Sequence, residues 1–166
     1  MTLGKLQIPC QKLISGGQTG VDRAILDACL ANSFPCGGWC PKNRLAEDGT
    51  IPRKYPLTEM PETDYCYRTR QNVFDSDGTL ILTPGQPKGG TLLTGDYARE
   101  LKRPLKTIHP EMNPKHLSSW LICNNIQILH IAGPRESEWP EAYPKAYQLA
   151  VELIVQIKLY AIESRP

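Results

Sequence analysis

Three stretches of the sequence combine glycine with residues suited to anions: Gly16-Gly17-Gln18-Thr19-Gly20, the run from Pro84 through Gly89-Gly90-Thr91, and Gly133-Pro134-Arg135-Glu136-Ser137. A glycine cluster opening a helix lets backbone N–H groups come close to an anion, and the helix dipole adds about half a positive charge there. Gly16, Gly17 and Gly20, with Gln18 and Thr19, form one candidate cradle. Gly89, Gly90 and Thr91 form a second. Arg135 follows Gly133-Pro134, where its guanidinium suits bidentate contact with phosphate or an ion pair with a neighbouring acid. Ser137 adds a hydroxyl. The combination predicts a ligand bearing a phosphate or another oxyanion. Arg23, Lys42, Arg44, Arg68 and Lys88 lie in or near the same loops, and Lys42 or Arg44 is expected to close over the ligand. Asp22 either complements the dipole of its helix or touches the ligand.

Other chemistries fit poorly. No Gly-Lys-Ser/Thr occurs, so there is no P-loop. Gly17-x-x-Gly20 lacks the dinucleotide fingerprint, and residues 34–40 contain no acid to hold a ribose. Among six cysteines the close pair Cys36 and Cys40 has no companions to complete a zinc site, and free buried thiols are expected. His109, His116 and His130 show no spacing to a nucleophile and read as core or surface residues. Trp39 can stack on a planar heterocycle or pack over the sheet edge. A net charge of +2 argues against nucleic-acid binding. No run of about 20 apolar residues is present to span a membrane, and no secretory leader is legible, so a cytoplasmic location is expected.

The elements that must position these residues alternate. In 166 residues with 40% hydrophobic content, enough for one domain, short apolar runs end in Gly/Thr/Pro loops and helical patterns follow. Strands are expected over 12–15, 34–39, 79–83, 105–108 and 126–132, the second weakened by Pro35 and two glycines. Helices are expected from Val21 to near Asn32, over 64–75, from the 89–91 loop to Arg103-Pro104, from Asn113-Pro114 to Cys123, and over 143–162. The proline-rich stretch 40–62 reads as a long functional loop, a candidate lid. This alternation predicts an α/β fold whose mostly parallel sheet is covered on both faces. Right-handed crossovers then bring the three glycine loops to one carboxyl edge, where open α/β sheets bind ligands.

Ile14 through Ala24 closely resembles the opening motif of the molybdenum carrier family, the molybdenum cofactor carrier proteins. Gly38-Trp39-Cys40-Pro41-Lys42, Ala46-Glu47-Asp48-Gly49, Ile51-Pro52, Tyr55-Pro56-Leu57, Asn72-Val73, Gly89-Gly90-Thr91 and Gly133 to Ser137 resemble its further blocks. The resemblance implies a Rossmann-like three-layer sandwich related to lysine-decarboxylase-like proteins, and a homo-oligomer, dimer or tetramer. It implies a non-catalytic carrier that binds and protects molybdenum cofactor, a molybdopterin with a terminal phosphate, and exchanges it with donor or acceptor enzymes. The site would draw on Gly16 to Gly20, Arg23, Lys42, Gly89, Gly90, Thr91, Gly133, Arg135 and Ser137. The alternatives are a nucleotide or phosphoribosyl hydrolase, with Asp22 or Glu136 as the acid, and a nucleotide-sensing module. Related phosphoribohydrolases carry a glutamate where this chain has Thr94, which favours a binder over a hydrolase.

Overall fold

The computed structural model describes residues 8–163. Five parallel strands form the central sheet: β1 (Lys12–Ile14), β2 (Cys36–Gly37), β3 (Gly78–Leu82), β4 (Leu105–Ile108) and β5 (Ile128–Ala132), in the order β2-β1-β5-β3-β4. β5 lies between the two halves, with Leu13 opposite Leu129 on one side and Leu80 opposite Ile131 on the other. Among doubly wound sheets the order 3-2-1-4-5 is common. The chain has that order with one change: the central strand, usually made first, comes last.

The helices are α1 (Val21–Ala31), α2 (Tyr65–Phe74), α3 (Gly89–Glu100), α4 (Lys115–Cys123) and α5 (Ala142–Glu163). Side chains alternate across each strand, so the sheet has two distinct faces. Leu13, Leu80, Leu82, Leu129 and Ile131 join the core shared with α1, α4 and α5. The opposite face carries Ile81, against which α3 packs at Gly95, and His130 and Ala132, which line a cleft with Arg68 of α2. Handedness dictates this split. Crossovers β1→β2 and β4→β5 run one way along the sheet and put α1 and α4 on one face; β2→β3 and β3→β4 run the other way and put α2 and α3 on the other. The result is a three-layer, Rossmann-like α/β sandwich. No helix among the described residues is long and apolar enough to cross a membrane.

Local signals act as chemistry requires. Asp64 caps α2 by accepting from the Cys66 N–H at 2.9 Å, and Asn113 accepts from Lys115 N–H at 3.0 Å at the head of α4. β3 is buried at every position, as its apolar Leu-Ile-Leu run requires between two helical layers.

Two expectations change. The second strand is two residues long rather than the expected 34–39: Pro35 has no N–H to give, and the chain leaves the sheet at Gly38, φ +129°. A Cβ on Gly38 would lie 2.0 Å from the Ser15 carbonyl oxygen, so only glycine permits this crossing. The 40–62 stretch is not structureless. Trp39–Cys40 pairs in parallel with Thr58–Glu59, and Leu45–Ala46 with Gly49–Thr50 as a small hairpin. Arg44 organises it from inside, donating to the carbonyls of Ile51, Pro52, Tyr55 and Leu57 at 2.9–3.2 Å.

Candidate functional site

The strand order puts a switch point between β3 and β5: successive strands on either side are reached by crossovers in opposite directions, which opens a crevice at their carboxyl ends. A two-armed cleft occupies that place. The inner arm, about 60 Å³, runs among Gln18, Asp22, Arg68, Thr91, His130 and Arg135. The outer arm, about 400 Å³, lies between the 83–88 loop and Pro134 and Trp139. Thr91 and Glu138 line both arms and join them.

The first glycine loop is assembled by its own chain. A Cβ on Gly16 would fall 1.3 Å from Arg68 Nη1, so the glycine gives the guanidinium its seat. Gly20, at φ +76°, meets the third loop closely enough that a Cβ would stand 2.6 Å from the Pro134 oxygen. Leu57 and Ile51 cover Gly17. Several N–H groups here already have acceptors: Gln18 N–H donates to Asp22 Oδ2 at 3.3 Å, Thr19 N–H to Gln18 Oε1 at 3.0 Å, and Val21 N–H, at the start of α1, to the Pro134 carbonyl at 3.3 Å. Asp22 and Gln18 thus take the Gln18 and Thr19 N–H groups of the first loop, and Gln18 is the residue of that loop that lines the cleft. Its amide oxygen takes the Thr19 and Glu47 N–H groups, and its Nε2 is buried without a partner. Arg68 Nε is a second buried donor without one.

The second loop is open. Gly90, exposed at the start of α3, has no atom from outside its own turn of helix within 4 Å of where a Cβ would be, and Gly89 has Glu138 Oε1 at 3.9 Å. No side chain caps α3, so the positive end of its dipole faces the cleft beside Thr91. In the third loop Gly133 and Arg135 line the inner arm. Arg135 makes only distant ion pairs, 3.9 Å to Glu47 and 3.7 Å to Glu138, and stands over the Tyr65 ring at 5.9 Å. Arg68 stands over the same ring at 5.7 Å, so Tyr65 is in cation–π range of both guanidiniums.

The other expected residues go elsewhere. Arg23 clamps Asp48 at 2.9 and 3.1 Å and gives its Nε–H to the Gly17 carbonyl. Ser137 and Thr19 both donate to Glu47, whose carboxylate ties the hairpin to the first and third loops. Lys42 is exposed and lines neither arm; Arg44 is buried among backbone carbonyls. Arg44 is therefore a structural brace and does not close over a ligand; the Lys42 side chain is exposed on the surface, and its backbone N–H pairs with the Glu62 carbonyl. Trp39 donates to Asp75 at 2.6 Å and lines neither arm of the cleft.

Electrostatics separates the inner-arm groups. Burial raises the Asp22 carboxyl above its ordinary range, against the pull of Arg68 at 3.1 Å. Burial, with Arg68 adding to it, lowers His130 to about 3, so its imidazole is neutral at physiological pH. For Glu47 desolvation pushes up, but hydrogen bonds from Ser137 and Thr19 outweigh it and hold the carboxyl below its usual range. Thr94, also in the inner arm, gives its hydroxyl to the Gly90 carbonyl at 2.8 Å. Among the described residues no group of three or more His, Cys, Asp or Glu side chains converges as metal ligands.

Sequence reasoning missed Tyr65 and Glu138 as features of the cleft, and placed His130 in the core or on the surface. The strand pattern does hold a signal for His130: it is the sole polar residue in Ile128–Ala132, one turn of alternation away from Ile131.

A model of the circularly permutated YpsA SLOG family matches residues 13–154. The chain belongs to that family. The permutation in the family description agrees with a sheet whose central strand is made last. No curated protein matches the chain. A solved structure does: the crystal structure of a "putative molybdenum carrier protein" from Syntrophus aciditrophicus SB is 44% identical, with a TM-score of 0.83, covering 90% of this chain and 94% of that one. At that identity the resemblance of the opening and closing motifs to molybdenum carriers stands on the whole fold.

Proposed function

We propose that this member of the family is a carrier that binds a molybdenum-bearing small molecule, molybdenum cofactor, as cargo in the cleft between β3 and β5. The observation that carries the reading is a pair of buried donors without acceptors, Gln18 Nε2 and Arg68 Nε, on side chains lining the inner arm. A buried unpaired donor costs about 1–3 kcal/mol, and an oxyanion oxygen would relieve it. Arg135, Thr91 and the open Gly89-Gly90 backbone add donors around the same space. A molybdenum oxo group or a terminal phosphate fits such a set, since both present oxygens rather than an open metal face. The outer arm, near 400 Å³ and flanked by Pro84, Pro134 and Trp139, has room for a planar pterin.

The carrier reading is favoured over a hydrolase. Asp22 is already held by Arg68 and the Gln18 N–H, Glu136 is exposed outside both arms, and the Thr94 hydroxyl is engaged within its own helix. Exchange of cargo with donor and acceptor enzymes, and assembly into a dimer or tetramer, belong to the same proposal. Incubated with molybdenum cofactor and passed through gel filtration, the protein is expected to retain the cofactor and slow its oxidation. If it does neither, the carrier reading fails.

A further inference from the structure

A carboxylate at the base of an anion site is an unfavourable neighbour, yet Asp22 lines the inner arm with its side chain only 7% exposed. Its Oδ2 accepts from Arg68 Nη1 at 3.1 Å and from Gln18 N–H at 3.3 Å. Arg68 is itself 11% exposed and lines the same arm, with its Nε unpartnered. One buried guanidinium therefore serves both the internal carboxylate and any anion that enters. Two like charges sharing a buried site cannot both stay ionised cheaply, and the weaker acid takes a proton.

The groups facing Asp22 leave it as the proton acceptor. From α2 come Arg68 and Tyr65; from β5 comes His130; from the loop after β5 come Arg135 and Glu138. α3 contributes Gly90, Thr91, Leu93 and Thr94, none of which titrates near neutrality. Arg23, next to Asp22 on α1, is committed to Asp48. His130 stands beside Arg68, whose charge disfavours a proton on the ring. Glu138 has a 47% exposed side chain, so water screens it from a guest.

We propose that the inner arm takes its guest as a dianionic tetrahedral oxyanion together with one proton, which Asp22 acquires on binding and returns to solvent on release. This rests on the reading of the cleft as an oxyanion site. The balance is one oxyanion and one proton entering, with no other reactant. The neutral carboxyl turns from competitor to donor, its O–H available to a guest oxygen, and Arg68 is freed to face the guest. Cargo is therefore held more tightly as pH falls, by up to about tenfold per pH unit where one whole proton is taken up.

Titration calorimetry on the intact protein tests this, with molybdate and sulfate as probes because neither takes up a proton itself near neutrality. The binding enthalpy is measured at one pH in buffers of different ionisation enthalpy, and the affinity across a pH series. Expected are a buffer-dependent enthalpy showing proton uptake and an affinity that rises as pH falls. In Asp22→Asn the oxyanion still binds, with no buffer dependence and a flat pH profile; in His130→Gln the uptake persists. No binding of either probe, or binding by the unmodified protein without buffer dependence, overturns the proposal without recourse to a variant. Uptake that survives in Asp22→Asn overturns it too. If the proton linkage fails while molybdenum cofactor is retained through gel filtration, the carrier reading stands alone. If the linkage holds and retention fails, the site is an oxyanion site of another kind.

Discussion

Gln18 and Arg135 show two ways a side chain is kept ready for a ligand. Gln18 is fixed: two backbone N–H groups, from Thr19 and Glu47, hold its amide oxygen, and its Nε2 is left without an acceptor. Arg135 is loose: its ion pairs at 3.7 and 3.9 Å are too long for hydrogen bonds, and its side chain is 32% exposed. Removing Arg135 therefore leaves no buried group unpaired. Arg135→Ala is expected to keep its melting temperature and to lose about 1–3 kcal/mol of oxyanion affinity, the size of a charge-assisted contact, measured by calorimetry with molybdate. Unchanged affinity would remove Arg135 from the site. The glycine motifs were legible as a loop at the carboxyl edge but not as to what each glycine faces. Gly16 makes room for Arg68, 52 positions later, and Gly20 makes room for the 134–136 backbone. Such close approaches depend on partners far along the chain, so no local pattern encodes them.

At the scale of elements, the 40–62 stretch departs most from expectation. Its prolines and polar residues read as a lid, whereas it folds around one cation. Arg44, at φ +54° and 7% exposed, reaches four carbonyls of this irregular stretch, two of which, Pro52 and Tyr55, also take a turn N–H, and the segment lays Ile51 and Leu57 against Gly17. Side chain to backbone bonds of this kind satisfy a loop that lacks a ladder, and periodicity cannot reveal them because they follow no period. Arg44→Ala would leave the Ile51 and Leu57 carbonyls without these donors, while the Pro52 and Tyr55 carbonyls keep their turn bonds from the Tyr55 and Leu57 N–H groups. It is expected to cost about 2–4 kcal/mol of stability in urea unfolding, and Arg44→Lys to recover only part because an ammonium cannot span the same fork. The Glu47 tie to Thr19 and Ser137 carries the damage towards Gln18, so weaker oxyanion binding should accompany the lower midpoint. A variant that unfolds at the native midpoint would show the brace to be dispensable. By contrast, α1 to α5 and the three longer strands were legible within a few residues, because each carries an apolar stripe against a layer that the pattern itself implies.

For the whole molecule, the sequence disclosed the alternation of strands and helices but not the order of the sheet, since no residue pattern says which apolar strand lies beside which. That order has a consequence for assembly. β1 pairs with β2 and β5, and β3 with β4 and β5; among the described residues β1 and β3 do not meet. Until β5 is present the sheet is two separate pairs of strands, and a lone two-stranded ladder is marginal in water. α5, which packs along α1 and buries Ala146, Ala150, Leu153 and Ile154 in the main core, is also made last. Both the sheet and one of its two helical layers therefore wait for the final quarter of the chain. A protein ending after Asn124 keeps β1 to β4 and α1 to α4, yet is expected to show no cooperative thermal transition and little near-ultraviolet circular dichroism. Supplying residues 125–166 as a separate peptide should restore both, because the missing strand joins β1 and β3 into one sheet and brings α5 to its core. A sharp transition in the shortened chain alone would mean that β1 and β3 can close on each other. The crevice between β3 and β5 would then be incidental to the fold rather than its product.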